Sequence, residues 1–194
     1  MATTRLPVFQ KFIDDARAAW MTEPDTESRM KAATELLRGL VNDQTMQAHC
    51  KDWPSTEGHK NLMLYEDPDH GFIINAVVRT PGRTGSVHDH AHCWTAYGLL
   101  DGMEKLERFS RLDDGSRDGY AEVQLDSVSE GAAGTVDLVP PFDIHAEQGG
   151  PVRSVAVIFR SERVAGKVQQ GRYDPKTKKT FKGDGPTQVP FELA

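Results

Sequence analysis

Apolar residues in the first third of the chain recur at the spacing of amphipathic helices. The apolar face of the first such segment comprises Phe9, Phe12, Ile13, Ala16 and Trp20. The polar stretch TEPDTES then offers Asp25 or Thr26 as a helix N-cap. The apolar face of a second segment comprises Met30, Ala33, Leu37, Leu40 and Val41. Together with a shorter piece around Met46–Lys51, the pattern predicts an N-terminal helical region.

The pattern changes from Asn61 onward, where short runs rich in Val, Ile, Phe and Tyr alternate with turn clusters. These clusters are EDPDHG, TPGRTG, LDDGSRDG, SEGAAG, EQGGP and YDPKTKK. Strands at this spacing without intervening helices are typical of an antiparallel sandwich or barrel. The segment GMEKLERFSRL contains helix formers, but its position between two turn clusters favours a strand. We predict a mainly β protein of one structural domain, with helices at 1–58 packed on a barrel at 59–194.

Composition and charge restrict the kind of partner. The chain has 194 residues, of which 38% are hydrophobic and 27% charged, and its formal net charge is −6. A nucleic acid or an anionic membrane surface needs a basic face, and the longest basic cluster is the short KTKK at Lys176–Lys179. We therefore expect neither partner.

The cysteines and the N-terminal segment indicate in which cellular compartment the protein is expected. Cys50 and Cys93 are too few for a disulfide framework. The first twenty residues carry acidic side chains and lack an uninterrupted apolar core, so they are not predicted to be a secretory signal. Since no stretch reaches the length of a membrane span either, the sequence predicts a cytoplasmic protein with reduced thiols.

The stretch HDHAH carries the candidate chemistry. In a strand, alternate side chains share a face, which predicts that His88, His90 and His92 point together while Asp89 points away and has a structural role. Two histidines at this spacing can hold one metal ion if a third ligand arrives from another strand. The candidate is His145, in PPFDIHAEQGG at the end of a predicted strand. The alternative is a polar strand end and an unrelated surface histidine.

The segments GSVHDHAHCWTAYGLLDG and PPFDIHAEQGG together resemble the two motifs of the cupin superfamily. The first motif is a glycine, H-x-H, four residues, usually a glutamate, six residues and a glycine, and its spacing is met by His88, His90, Thr95 and Gly102. The second motif is a proline, a histidine and often an asparagine, matched by Pro140 and His145, with Gly149 at the asparagine position. The G-S-x-H-D-H and L-L-x-G elements are similar to the cysteine dioxygenase-like (thiol dioxygenase) group. The resemblance extends over roughly Lys60–Ser161.

The resemblance implies a cupin double-stranded β-helix, a jelly-roll barrel with N-terminal helices. It implies Fe(II) bound by His88, His90 and His145, with zinc, nickel or manganese as alternatives. His92 is left as a residue that lines the pocket or supports a ligand. The implied activity is O₂-dependent oxidation of a small thiol carboxylate to its sulfinic acid.

The sequence departs from the family around the metal. The family's glutamate, or the cysteine that forms a thioether with a tyrosine, is replaced by Thr95, and the tyrosine position holds Arg160. The supporting serine and histidine positions hold Ala156 and Ile158. Cys93, two positions from Thr95, does not fill the vacant place. No crosslink is therefore possible at that pair, and cysteine itself is in doubt as the substrate.

Two cations are candidates for substrate binding. Lys60 lies before the Asn-Leu pair that follows the family's carboxylate-binding arginine, and it can hold an anion as a point charge. Arg160 shares a strand face with Ile158 and can supply a bidentate fork. Both residues are also compatible with solvated surface positions. An apolar wall is expected from the aromatic residues Trp94, Tyr97 and Phe142.

Three neutral imidazoles leave a divalent metal short of negative charge, so we expect a small anionic substrate together with O₂. Zinc would instead favour Lewis-acid chemistry. The alternatives are a diketone-cleaving dioxygenase, a lyase or isomerase at the same metal, and a non-catalytic ligand-binding cupin. The expected assembly is a monomer or a homodimer.

Overall fold

A computed structural model describes residues 5–194 of the chain, and its N-terminal part is helical as predicted. The helices are α1 (Pro7–Thr22), α2 (Thr26–Val41) and α3 (Gln44–His49), followed by a 3₁₀ turn at Cys50–Asp52. Asp25 caps α2 by accepting a 2.8 Å hydrogen bond from the backbone nitrogen of Ser28.

Strands follow from Lys60 onward. They are β1 (Lys60–Glu66), β2 (Ile73–Arg79), β3 (Val87–His88), β4 (Thr95–Asp101), β5 (Met103–Arg111), β6 (Val123–Ala132), β7 (Val136–Val139), β8 (Ile144–Gly149), β9 (Ser154–Arg160), β10 (Gln170–Asp174), β11 (Lys179–Gly183) and β12 (Thr187–Pro190). The ambiguous segment GMEKLERFSRL forms β5, which confirms its prediction as a strand.

The strands form two facing sheets with jelly-roll connectivity. One sheet has the order β12-β1-β2-β9-β4-β7 and the other the order β11-β10-β3-β8-β5-β6. Strands β2 to β9 alternate between the sheets, except that β5 and β6 form a hairpin within the second sheet, and this is the pattern of a jelly roll. The predicted double-stranded β-helix with N-terminal helices is thus confirmed.

The helices cover the outer face of the first sheet. Trp20 of α1 lies with its ring centroid 4.9 Å from that of Phe72 and 5.3 Å from that of Phe159 on β9. Because strand side chains alternate, the neighbours of Phe159 on β9, Ile158 and Arg160, face the barrel interior. This alternation puts Arg160 inside. None of the helices in the described part of the chain is long and apolar enough to cross a lipid bilayer.

The contact between α2 and β4 gives a test of this packing. Leu37 is fully buried and lies directly over Gly98 of β4. We expect Leu37→Ala to lower the free energy of unfolding by about 2–5 kcal/mol, because the substitution leaves a cavity between helix and sheet. Urea denaturation measures the loss. Leu112→Ala, at a site 57% exposed, is the control and should cost far less; equal losses would contradict the packing.

Candidate metal centre and ligand pocket

Three histidines meet on the inner face of the second sheet. His88 on β3 is the direct backbone partner of His145 on β8, and His90 follows two residues later. The ring centroids of the three pairs are 4.5, 4.8 and 4.9 Å apart, and the Nε2 atoms of His88 and His90 are 3.1 Å apart. The structure thus brings together His88, His90 and His145, the three residues predicted as ligands.

Backbone carbonyls orient two of these imidazoles. Nδ1 of His88 lies 2.9 Å from the carbonyl oxygen of Ser86, and Nδ1 of His145 lies 2.8 Å from that of Asp143. A proton on each Nδ1 satisfies these bonds and leaves the Nε2 lone pairs free for a metal. Nε2 of His145 is buried without a hydrogen-bond partner in the described chain. The ligand nitrogens of the three residues lie within 4.8 Å of one another, which suits one ion bonded to each at about 2.0–2.1 Å, so the residues present fit a divalent metal.

Burial keeps His88 and His90 neutral. It lowers the pKa of His88 to about 3, with the neighbouring His145 as the next cause. It also lowers the pKa of His90 well below the usual range, and the positive charge of Arg160 acts in the same direction. Neutral imidazoles are the form that binds metals, so at neutral pH no proton has to leave either residue first.

Asp89, between the first two histidines, has the predicted structural role. Its buried Oδ1 accepts hydrogen bonds from the backbone nitrogens of Ala91 at 2.8 Å and Gly171 at 2.9 Å. Its Oδ2 accepts a 2.6 Å hydrogen bond from the hydroxyl of Tyr173. These bonds fix the turn after β3 against β10 and so hold His90 in place.

The same turn makes the expected position of His92 wrong. The chain leaves the strand after His88, and Ala91 adopts a positive φ of 50°. The side chain of His92 is therefore 59% exposed, with Nε2 2.9 Å from Oε1 of Glu162. It faces away from the cluster, and beside it Cys93 is buried among small apolar residues, where burial raises its thiol pKa to about 12.

The histidine cluster borders a cavity of about 270 Å³ between the sheets. His88 lines it, together with the predicted residues Lys60, Tyr97 and Arg160 and the neighbouring His59. The other two aromatic residues expected in its wall lie elsewhere. Trp94 packs against the helical core, and Phe142, in a positive-φ turn, is 63% exposed.

Arg160 is the most deeply placed of the predicted substrate residues. It is 7% exposed and forms no ion pair within residues 5–194, although the charge of Glu147 acts on it. Its Nη1 donates a 3.2 Å hydrogen bond to Oγ1 of Thr95, the residue at the usual glutamate position of the motif. Burial lowers its pKa to about 10, which leaves the guanidinium charged at neutral pH. A buried charge of this kind favours an anion in the cavity.

A buried polar network at the wall of the cavity was missed from the sequence. The guanidinium of Arg79 donates to both carboxylate oxygens of Glu104, at 3.1 and 2.9 Å, and to the hydroxyl of Tyr97. Tyr97 and Ser154 donate in turn to Glu104, at 2.7 and 2.6 Å. Glu147 lies 3.7 Å from the Arg79 guanidinium, so the charge of Arg79 is compensated twice.

Glu147 also lies next to the histidines, with Oε1 3.5 Å from Nε2 of His145. Burial alone would raise the pKa of its carboxyl, but the contact with His145 and the charge of Arg79 outweigh burial and lower it well below the usual range. The sequence did contain a signal for this residue, since Glu147 stands two positions after His145 and must share its strand face.

The neutral state of His90 makes the stability of the metal-free protein depend on pH. Its folded pKa lies below the usual 6.5, so below that pH the unfolded chain takes up a proton that the folded chain does not, and stability falls as the pH drops. We expect His90→Gln to reduce this loss by about 1 kcal/mol between pH 6 and pH 5. Urea unfolding with a chelator present measures it. His92→Gln is the exposed control. If the unfolding free energy of His90→Gln falls with pH as steeply as that of the wild type, His90 is not held neutral in the folded protein.

Comparison with known proteins gives similarity of fold alone. No protein-family model and no curated protein sequence matches the chain. Among solved structures, an uncharacterized conserved protein with a double-stranded β-helix domain from Klebsiella pneumoniae is 15% identical, with a TM-score of 0.42 over 58% of this chain and 80% of that one. The Cnp3 cupin domain of Schizosaccharomyces pombe is 12% identical (TM-score 0.41, 53% and 60%). An oxalate oxidase in complex with glycolate is 19% identical (TM-score 0.42), and the alignment spans 57% of this chain but about half, 53%, of the oxidase.

Proposed function

We propose that this protein is a mononuclear non-haem iron dioxygenase that oxidises a small thiol carboxylate to its sulfinic acid. The observation that carries the proposal is the convergence of three imidazoles beside a cavity that holds a buried arginine, which forms no ion pair within residues 5–194. The imidazoles suit a divalent metal, and the arginine suits a carboxylate. The sequence motifs support the choice of a thiol as the reacting group.

His88, His90 and His145 would hold the metal. When bound, Fe(II) supplies the electron-transfer chemistry that O₂ requires and that amino-acid side chains lack. Because the three ligands are neutral, an anionic substrate group such as a thiolate compensates the charge of the ion better than a neutral one. The backbone carbonyls of Ser86 and Asp143 keep the Nε2 atoms directed at the ion.

The reaction balances without another reductant. Both atoms of O₂ are added to the sulfur of the thiol, which loses four electrons, and O₂ accepts the same four. The S–H bond is broken, and its proton ends in the acidic product, which is a sulfinate at neutral pH. The protein has to exclude water and hold the thiol group beside the histidines.

Arg160 would orient the substrate by binding its carboxylate. Its guanidinium has several N–H groups free for a bidentate, charge-assisted pair, since Thr95 Oγ1 takes only one of them. Ile158 and Tyr97 form the less polar part of the wall. The buried network around Glu104 holds Tyr97 in place, so it does not swing into the cavity.

Oxygen uptake tests the proposed reaction. The Fe(II)-loaded protein should consume O₂ with a thiol carboxylate and form a sulfinate identifiable by mass spectrometry. Cysteine, 3-mercaptopropionate and mercaptosuccinate are the carboxylate thiols to compare, and cysteamine, which lacks the carboxylate, should be the poorer substrate. His88→Ala should abolish uptake, whereas His92→Ala, outside the cluster, should retain it. Iron binding without uptake on any thiol would refute the proposal and favour an enolate substrate or a binding role.

Substitution of Arg160 tests substrate binding separately from the metal. Arg160→Met should raise KM for the carboxylate thiol about 10- to 100-fold, the effect of losing a charge-assisted pair, while iron content stays at the wild-type level. The KM for cysteamine should change little, because cysteamine has no carboxylate to lose. A parallel increase for both substrates would contradict the assigned role.

A further inference from the structure

The cavity contains more positive charge than one carboxylate requires. Of the thirteen arginines in the chain, seven form ion pairs with carboxylates. Three of the other six line this one cavity, namely Arg83, Arg160 and Arg172. Lys60 lines it as well, without an ion pair in the part of the chain described. The only carboxylate in the lining is that of Glu147, which lies near Arg79.

These cations lie at two separate places. The guanidinium of Arg160 is anchored to Thr95, its backbone partner on the neighbouring strand. The guanidinium of Arg83 is anchored to the carbonyl oxygen of Thr56 at 2.8 Å, and the Thr56 backbone nitrogen donates to the carbonyl of Val78 on β2. Thr56 therefore ties Arg83 to the end of β2 where Arg79 lies.

The pairing of β2 with β9 measures how far apart these places are. Arg160 is opposite Ile73, at the start of β2, and Val78 is opposite Val155, five residues away on β9. Five residues of a strand separate the two backbone positions by about 16 Å, and the arginine side chains that reach into the cavity shorten this gap. The two guanidinium groups are held by different anchors, Thr95 for Arg160 and Thr56 for Arg83, so each offers its own place for a carboxylate. Lys60 belongs to the Arg83 end, because β1 pairs with β2 so that Leu62 is opposite Ala76.

Arg172 adds to the charge between these places. It is the backbone partner of His88, and its guanidinium is held by Oγ of Ser86 and Oε1 of Gln170, both at 2.9 Å. These neutral acceptors fix its position without an ion pair, and the acidic groups whose charges act on it are Glu147 and Asp89. Positively charged side chains therefore line the cavity at Arg160, beside His88 and at Arg83, with Glu147 as the single carboxylate of the lining.

We propose that the cavity binds a small molecule with two carboxylate groups, one at Arg160 beside the histidine cluster and the other at Arg83 and Lys60. The inference deepens the proposed function and relies on it only for the identity of the reacting thiol. The substrate class is then a thiol dicarboxylate. The cavity volume of about 270 Å³ restricts it to a short carbon chain.

Binding of thiol-free acids tests the charge requirement without any turnover. Succinate and butanoate have the same four-carbon chain and differ by one carboxylate. Titration calorimetry with the full chain at low ionic strength should show succinate binding about 30-fold more tightly, the effect of an additional charge-assisted pair. Arg83→Gln should remove most of this preference. Arg117→Gln replaces an exposed arginine that lies over Tyr120, outside the cavity, and should preserve it.

Equal affinities for the two acids, or a preference that persists in Arg83→Gln, would overturn the inference. The turnover comparison separates this failure from that of the proposed function. If mercaptosuccinate and 3-mercaptopropionate are oxidised with equal kcat/KM, the dicarboxylate inference is wrong and the dioxygenase assignment stands. If neither thiol is oxidised while succinate still binds selectively through Arg83, the dicarboxylate site stands and the reaction must be sought elsewhere.

Discussion

The backbone pairing of His88 with His145 places two imidazoles side by side that are 57 positions apart in the chain (145 − 88). That contact exists because β3 and β8 are neighbours in the jelly roll, although four strands separate them in sequence order. His90 joins the pair through the turn that Asp89 fixes against β10. The candidate metal centre is therefore a property of the whole barrel, since no local segment contains all three nitrogens.

Charge inside the barrel is handled in two different ways. At one part of the cavity wall, Arg79 is matched by Glu104 and Glu147, so the buried guanidinium has acidic partners and a fixed geometry. At the cavity wall, Arg160 has only the hydroxyl of Thr95. Burying a charge without an acidic partner is unfavourable. The ion pair of Arg79 is therefore structural, whereas the guanidinium of Arg160 is placed where a ligand can compensate its charge.

The sequence predicted the helices, the strand class of β5 and the meeting of His88, His90 and His145, because periodicity, turn chemistry and motif spacing are local signals. It placed His92 wrongly, since strand alternation was extended through a turn at Ala91 that only a positive φ reveals. Trp94 and Phe142 were expected at the cavity wall because they are close in sequence to the histidines, but Trp94 packs against the helical core and Phe142 lies in a separate turn with a positive φ of its own.

The network around Arg79 could not be predicted, because it depends on which strands become neighbours. Arg79, Glu104 and Ser154 come from three strands and meet only once both sheets have formed. Glu147 is an intermediate case. The sequence predicts that Glu147 lies on the same strand face as His145, but it does not predict that Arg79 is its ion-pair partner.

The uncompensated cations at the cavity wall also connect the lifetime of the folded chain to the supply of its ligand. Repulsion among like charges in a partly desolvated cavity disfavours the folded state, and an anion that binds only this state offsets it. A ligand at a hundred times its dissociation constant adds about 2.7 kcal/mol to the free energy of unfolding. Proteolysis in cells proceeds largely through unfolded molecules, so any small anion that binds at Arg160 would raise the abundance of this protein.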